Sequence, residues 1–204
     1  MLSGGRIAHP LLVGLANIKT STRLKLSSHS LMLTALLPVS KFIHWNKCMH
    51  GILKDWLIHQ CLDIVLSPLK RAVRQGVMLP NSVDNMWYCF TPLVSYICDT
   101  LEATMFATVG GKTSPLTMAM FKQFGNPFCH ESHTSQTTLA QLLIVKSKAN
   151  PMNIEAFFRE AQCFCLNGVS DPFWMDYPLT CPSCFLTPEL LHYVHKEFWD
   201  HDAK

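Results

Sequence analysis

Residues 88–102 have the sequence YCFTPLVSYICDTLE, and the fold of the chain is best approached from this stretch. Its apolar, β-branched and aromatic residues predict a buried strand over residues 86–98. Asp99 follows directly, and Thr100 and Glu102 are typical of the first turn of a helix. Two roles for Asp99 stay open at this point. It is either a helix cap or a ligand-binding carboxylate at the end of a strand in an α/β sheet.

The composition is that of a folded protein with a single core. The 204 residues are 49% hydrophobic and 15% charged, which excludes a disordered chain. The longest apolar runs, at residues 10–18 and 31–39, are too short to span a bilayer. The nine cysteines are odd in number and irregularly spaced, which predicts free thiols in a reducing, intracellular compartment.

The net charge of +3 combines two unlike parts of the sequence. Residues 1–75 contain ten Lys and Arg against two acidic residues, Asp55 and Asp63, which gives a net charge of +8. Residues 76–204 contain seven basic and twelve acidic residues, which gives −5. A basic segment attracts polyanions such as nucleic acid, although dispersed lysines also occur on ordinary solvated surfaces. The charge alone leaves both interpretations open.

The first part of the chain predicts a hairpin followed by a long helix. Residues 10–18 and 30–39 are apolar and read as two strands that pair across a polar, basic turn. Residues 47–75 repeat apolar positions every three or four residues, which predicts an amphipathic helix ended by Gly76. Pro68 lies within this pattern, so we expect a kink or a break near residues 66–67.

The second part of the chain predicts short helices and one long loop. We expect a helix over residues 101–109 and a polar surface loop over residues 111–137. Further amphipathic helices are predicted over residues 139–145, 153–165 and 187–199.

Two polar segments of this second part are weak candidates for binding sites. Gly110-Gly111-Lys112-Thr113-Ser114 resembles the end of a phosphate-binding loop, but Phe106 stands where that pattern needs its first glycine. His130, Glu131 and His133 are close enough in sequence to bind a metal together. The sequence favours an exposed polar loop over a metal site for these three residues.

A set of zinc-ligand residues stands near the C-terminus. Cys181 and Cys184 form a Cys-x-x-Cys pair, and His192 and His195 follow. Two cysteines and two histidines can build a closed structural zinc site, although the gap between the pairs is shorter than in the usual finger. The alternative is free thiols in a loop and histidines on a helix surface.

Several short motifs together resemble one family of proteins. The chain contains, in this order, ANI at 16–18, ALLPVSKF at 35–42, YCFTPL at 88–93, DTLE at 99–102, FKQFG at 121–125, LNGV at 166–169, LH at 191–192, HK at 195–196 and DH at 200–201. In this collinear order they resemble the Plavaka transposases of fungi, which belong to the CACTA-like DNA transposons. The resemblance extends over nearly the whole chain.

The resemblance implies an α/β fold with a DDE transposase core. Residues 1–110 would be a partial ribonuclease-H-like core, a short mixed sheet with flanking helices. Residues 111–204 would be a mainly helical, loop-rich extension or insertion. The implied activity is DNA cleavage and strand transfer with Mg²⁺ or Mn²⁺, in which two metal ions activate the attacking oxygen and stabilise the leaving one. The implied partner is DNA in the nucleus, with no membrane and no small-molecule substrate, and homo-oligomerisation stays open.

The resemblance also assigns roles to two acidic residues. Asp99 matches the acidic residue at the end of a core strand and would be the second catalytic carboxylate. Glu189 aligns with an acidic position of the family. The first carboxylate would lie on a strand before residues 10–18, but no Asp or Glu precedes Asp55.

We therefore expect a transposase fragment that is catalytically incomplete alone. The alternatives are a nucleic-acid-binding remnant without enzymatic activity, a small domain stabilised by Zn²⁺, and a chain that does not fold stably.

Overall fold

The computed structural model describes residues 7–81 and 83–188, which form a mixed α/β structure. Its strands in chain order are β1 (Ala8–Gly14), β2 (Leu31–Pro38), β3 (Val77–Pro80), β4 (Met86–Cys89), β5 (Tyr96–Cys98) and β6 (Leu186–Pro188). Its α-helices are α1 (Thr20–Arg23), α2 (Cys48–Gln75), α3 (Thr100–Phe106), α4 (Ser135–Lys148), α5 (Ile154–Gln162) and α6 (Pro182–Phe185). Short 3-10 turns occupy Leu26–Ser28 and Phe121–Gln123.

The predicted N-terminal hairpin is present. β1 and β2 pair antiparallel from Ala8 opposite Pro38 to Gly14 opposite Leu31. β1 ends four residues earlier than predicted, because the chain turns after Gly14 and the Ile18 amide bonds the Leu15 carbonyl. The apolar pattern of residues 10–18 therefore continues beyond the strand into the turn.

Helix α2 confirms the predicted long helix. Of the kink or break expected near residues 66–67, the break is wrong, while a kink stays a prediction. The helix runs for 28 residues through Pro68. Proline removes one donor and frees the carbonyl one turn earlier, at Ile64. Pro68 is exposed and the Ile64 side chain is 73% exposed, so this side of the helix faces solvent. Water can therefore satisfy the freed carbonyl, and the helix continues.

Gly76 ends α2 as predicted, and it leads to the first testable expectation. Its φ of 71° lies in the region that favours glycine, and a Cβ there would meet the ring of Tyr88. Replacing Gly76 with alanine is expected to destabilise the fold by about 1–3 kcal/mol. Gly51 supplies the matched control, because it lies inside α2 and a Cβ would meet nothing within 4 Å. Gly51→Ala should stabilise by about 0.5–1 kcal/mol in the same urea titration. Equal stability of Gly76→Ala and wild type would contradict this expectation.

The prediction of a single strand over residues 86–98 is wrong, because this segment forms two strands, β4 and β5, in different sheets. β4 pairs with β3 in a hairpin, and β5 pairs elsewhere. Thr91 and Pro92 separate them, and proline cannot donate to a strand ladder. The Thr91 hydroxyl donates to the Leu69 carbonyl at 3.2 Å, and the Tyr177 hydroxyl donates to the Thr91 carbonyl at 2.9 Å. These bonds attach the interruption to α2 and to the C-terminal part of the chain.

The expected short mixed sheet takes a different form. The described residues contain three two-stranded sheets, of which β1–β2 and β3–β4 are antiparallel and β5–β6 is parallel. The α/β class is therefore confirmed, whereas a ribonuclease-H-like core stays a prediction. The helix predicted from residue 187 is wrong at its start, because Thr187 and Pro188 belong to β6. Its remaining residues lie outside the described part of the chain.

The main core lies where α2, α3, the β1–β2 hairpin and the segment around Trp174 meet. Phe106, Phe173 and Trp174 are almost fully buried, and the Trp174 indole donates to the Phe106 carbonyl at 2.7 Å. A second cluster packs α4 against α5. The main core draws residues from both sides of position 110, and the predicted division of the chain at that position stays a prediction.

The polar segment 111–137 is only partly a surface loop. Isolated bridges join Thr113 to Met120 and Thr117 to Ser132. His133, expected in an exposed loop, is only 2% exposed, and its Nε2 lies 2.9 Å from the Thr138 hydroxyl.

All nine cysteines lie within the described residues and are free thiols. Among the helices that the structure describes, none has the length and apolar character needed to cross a membrane.

Candidate functional site

Asp99 stands at the junction of β5 and α3, where both of its proposed roles apply. Its backbone is extended, as expected for the residue before a helix. One carboxylate oxygen, Oδ1, accepts a hydrogen bond from the Glu102 amide at 2.7 Å, so Asp99 caps α3. Within the described residues, Oδ2 accepts no hydrogen bond, and the side chain is half-buried. The cap therefore leaves one carboxylate oxygen available to a ligand.

The strand pairing brings the end of β5 beside the end of β6. The two strands are parallel, and Cys98 is the register partner of Pro188. Asp99 directly follows Cys98, and Glu189 directly follows Pro188 in the sequence. Glu189 itself lies outside the described residues. The carboxyl ends of parallel strands are the usual place for ligands in α/β proteins.

Glu102, in the first turn of α3, interacts electrostatically with Asp99, His9 and Lys54. Partial burial, followed by the nearby Asp99 charge, raises the pKa of Glu102 above its usual value. His9 of β1 and Lys54 of α2 act in the opposite direction and favour the ionised Glu102 carboxylate. The site thus joins two carboxylates to cationic or proton-binding groups from two other elements. His9 and Lys54 were missed from the sequence, since only the tertiary fold brings them to Glu102.

The capping role of Asp99 gives a second testable expectation. Asp99→Ala removes the acceptor for the Glu102 amide and should destabilise the chain by about 1 kcal/mol. Asp99→Asn should leave the stability close to that of wild type, because asparagine caps helices as well as aspartate does. Thermal unfolding followed by circular dichroism measures both. If Asp99→Asn lost as much stability as Asp99→Ala, the negative charge of Asp99 would stabilise the fold in addition to the helix cap.

Asp55 and Asn167 connect α2 to the C-terminal part of the chain. The Asn167 side-chain amide donates to Asp55 Oδ2 at 3.2 Å, and the Trp56 indole donates to the Gly168 carbonyl at 2.9 Å. Burial raises the pKa of Asp55 to about 6, although Lys54 and Asn167 oppose this shift. Asp55 was not singled out from the sequence, but it is one of only two acidic residues in the basic segment 1–75, and this signal could have found it.

His59 is a structural residue on the same helix. It is 1% exposed, and both of its ring nitrogens are paired. Nε2 lies 3.0 Å from the Met105 carbonyl, which can only accept, and Nδ1 accepts from the Phe173 amide at 3.1 Å. These partners place the ring proton on Nε2. Burial lowers the pKa of His59 to about 4, so the neutral ring is the form that the fold uses.

The proposed zinc ligands are only partly described. Cys181 directly precedes the short helix α6 and is half-buried, and Cys184 is exposed. Burial acts to raise the pKa of Cys181, but hydrogen bonds, first that with the Ser183 hydroxyl, lower it overall. His192 and His195 lie outside the described residues, so the zinc site stays a prediction. Within residues 7–81 and 83–188, no three His, Cys, Asp or Glu side chains are arranged to hold a metal ion.

Comparison with known proteins places the chain in a family. Neither the curated proteins nor the solved structures gave a match. The family model of Plavaka transposase matches residues 1–204, which is the whole chain. This match agrees with the family that the sequence motifs resemble. The protein therefore belongs to the Plavaka transposase family.

Proposed function

We propose that this chain provides part of a DDE-type site for metal-dependent DNA cleavage and strand transfer, with Asp99 as a metal-binding carboxylate. The observation that carries this proposal is the position of Asp99 at the carboxyl end of a parallel strand, with Oδ1 used by the helix cap and Oδ2 unengaged within the described residues. Membership of a transposase family supplies the class of chemistry. Glu189, which follows the paired residue of β6, is the second acidic ligand that we assign.

The donor chemistry of these residues fits Mg²⁺ or Mn²⁺. Carboxylate oxygens are hard, anionic acceptors, which these ions prefer. Bound metal ions would activate the attacking oxygen and stabilise the leaving oxygen of a phosphodiester. The cap to the Glu102 amide would hold the Asp99 carboxylate in one orientation. Glu102 would add negative charge beside it, while Lys54 would attract the phosphates of DNA.

The 204-residue chain is proposed to lack one carboxylate of the catalytic set. No Asp or Glu precedes Asp55 in the sequence, so the first acidic residue that the family chemistry needs has no candidate in β1 or β2. A missing metal ligand weakens two-metal catalysis severely, because the remaining carboxylates cannot fix the coordination. We therefore propose that this chain binds metal and DNA without cleaving the DNA efficiently.

Nicking of a supercoiled plasmid tests the proposed incompleteness. The chain is incubated with Mn²⁺, and wild type is compared with Asp99→Asn. The proposal predicts no nicking by wild type above the level of the variant. Mn²⁺-dependent nicking that Asp99→Asn abolishes would overturn the incompleteness while supporting the role of Asp99. Nicking that is equal and robust in both proteins would contradict the assignment of Asp99 itself.

A second candidate function is DNA binding without catalysis, and the exposed basic residues favour it. Among the described basic residues up to Gln75, only Lys70 and Arg74 form ion pairs. The others leave their charges available to a polyanion. The affinity for DNA should then fall steeply as the salt concentration rises. Absence of binding at low salt would reject this function and would also count against the transposase site.

A further inference from the structure

The segment between β2 and α2 exposes an aromatic side chain in a basic setting. Residues 41–47 have the sequence KFIHWNK, and Trp45 is 82% exposed. The His44 ring stacks on the Trp45 indole at 5.6 Å between centroids, with an angle of 27° between the planes. One face of a large aromatic side chain is thus supported from within the protein. An exposed tryptophan between two lysines is a typical platform for an unpaired nucleic-acid base.

The exposure of Trp45 comes from a segment that polar contacts hold in place. The Cys48 amide donates to the Asn46 side chain at 3.1 Å, and His50 Nε2 lies 3.0 Å from the His44 carbonyl. The Asn46 amide group also donates to Glu155 of α5 at 3.4 Å. These contacts anchor the residues on either side of Trp45. Its side chain is therefore directed to solvent by an ordered surrounding segment.

Gly51 leaves the α2 backbone accessible on the face of the helix where it lies, because it has no side chain. Glycine in a helix interior destabilises the helix relative to alanine. No internal packing requires it here, since a Cβ at Gly51 would meet nothing within 4 Å. Lys47 and Lys54 lie seven residues apart, on the same face of the helix and on either side of Gly51. Both are exposed, and within the described residues neither forms an ion pair.

This face leads towards the carboxylates of the candidate site. The Lys54 charge favours the ionised Glu102 carboxylate, so Lys54 lies near the first turn of α3, which Asp99 caps. Lys47 lies about 10 Å further along the helix axis, towards the N-terminus of α2. Lys47, Gly51 and Lys54 therefore follow one another along this face, and Trp45 stands two residues before Lys47 in the sequence.

We propose that a single-stranded segment of DNA lies along this face of α2, with one unpaired base stacked on Trp45. Its phosphates would contact Lys47 and Lys54, and the absence of a side chain at Gly51 would let the strand approach the helix backbone. The inference rests on the proposed function for its choice of DNA as the ligand. We call Trp45, Lys47, Gly51 and Lys54 the α2 track.

Fluorescence anisotropy with a labelled oligonucleotide of about 12 nucleotides tests the α2 track. Titrations are made at low salt with EDTA, on single-stranded and duplex DNA of the same sequence. Trp45→Leu should weaken single-strand binding about tenfold, because leucine cannot stack on a base, and should affect duplex binding much less. Gly51→Leu should weaken single-strand binding by a similar factor, and leucine is a good helix former, so α2 is retained.

A matched pair of charge changes controls for simple loss of positive charge. Lys47→Ala/Lys54→Ala removes two cations from the α2 track, while Arg71→Ala/Lys122→Ala removes two exposed cations elsewhere. The first variant should bind single strands at least about tenfold more weakly than the second. Equal losses in these two variants, or wild-type binding by Trp45→Leu and Gly51→Leu, would overturn the proposal. Because the titrations contain no divalent cation, failure of the metal assignment at Asp99 would leave these results unchanged.

Discussion

Replacing Asp55 with asparagine is expected to stabilise the folded chain by as much as about 3 kcal/mol near neutral pH. Burial raises the pKa of Asp55 from its usual 3.8 to about 6. The folded state therefore holds the Asp55 proton more tightly than the unfolded state does. Stability falls as the pH rises from about 4 to about 6, and the loss is complete above that interval. Asparagine removes the buried charge and still offers an acceptor to Asn167.

Urea unfolding near pH 7.5 measures this effect. Asp84→Asn is the matched control, because Asp84 lies in the exposed turn between β3 and β4 and loses the same charge. Its left-handed backbone suits asparagine equally well. The control should unfold with wild type, while Asp55→Asn should unfold at a higher urea concentration. A variant at Asp55 that is no more stable than wild type would show that the fold tolerates this buried carboxylate without cost.

Replacing His59 with phenylalanine is expected to destabilise the chain by about 1–3 kcal/mol. Phenylalanine fits a buried aromatic position between Phe106 and Phe173, but it has no ring nitrogen. The Phe173 amide would lose its partner in the interior, while the Met105 carbonyl would keep the Thr108 amide and the Asn167 side-chain amide as donors. An unpaired buried polar group costs about 1–3 kcal/mol. His29→Asn, at an exposed position with a left-handed backbone, is the control and should remain close to wild type.

The acid side of the stability profile separates the two residues of α2. The pKa of His59 is lowered from 6.5 to about 4, so the unfolded state binds its proton more tightly. Its contribution is fully present above about pH 6.5 and is lost as the pH falls towards 4. Asp55 acts in almost the same interval with the opposite sign, so the two partly cancel in wild type. Asp55→Asn should therefore lose stability more steeply than wild type between about pH 6.5 and 4. An unchanged slope would contradict one of the two assignments.

The parts of the fold that local patterns control were predictable from the sequence. The β1–β2 hairpin and α2 rest on apolar periodicity, and the end of α2 rests on Gly76. The end of β1 was less predictable, because apolar residues also occupy the turn after Gly14. The passage of α2 through Pro68 depends on which side of the helix faces solvent, and no local pattern reports this.

The parts that depend on distant partners could not be predicted. β6 is three residues long and includes a proline, so it shows no strand pattern of its own and exists through its parallel pairing with β5. Breaking of the predicted strand over residues 86–98 follows from contacts of Thr91 with α2 and Tyr177. Apart from the β1–β2 hairpin, the sequence therefore identified the apolar segments without showing which of them pair.

The residues of the candidate site were likewise predictable where a local pattern marks them and unpredictable where they depend on distant partners. Asp99 was identified because a strand and a helix meet there, and both local signals are confirmed. His9 of β1 and Lys54 of α2 act on Glu102, and only packing brings them to that residue. Trp45 and Gly51 carry no motif either, and their meaning depends on exposure and open space.

Binding of Mn²⁺ to the 204-residue chain tests the central assignment most directly. Electron paramagnetic resonance reports the concentration of free Mn²⁺ during a titration of wild type, Asp99→Asn and the control Asp84→Asn. Because asparagine retains the cap of α3, a change in binding reports the carboxylate and not the fold. Circular dichroism on the same samples checks that the fold is kept.

Wild type and Asp84→Asn are predicted to bind Mn²⁺ alike, while Asp99→Asn loses affinity at least about tenfold. This result would establish Asp99 as a metal ligand at the end of β5. Mn²⁺ binding by Asp99→Asn that equals wild type, or no binding by wild type, would contradict the account and leave Asp99 as a helix cap alone.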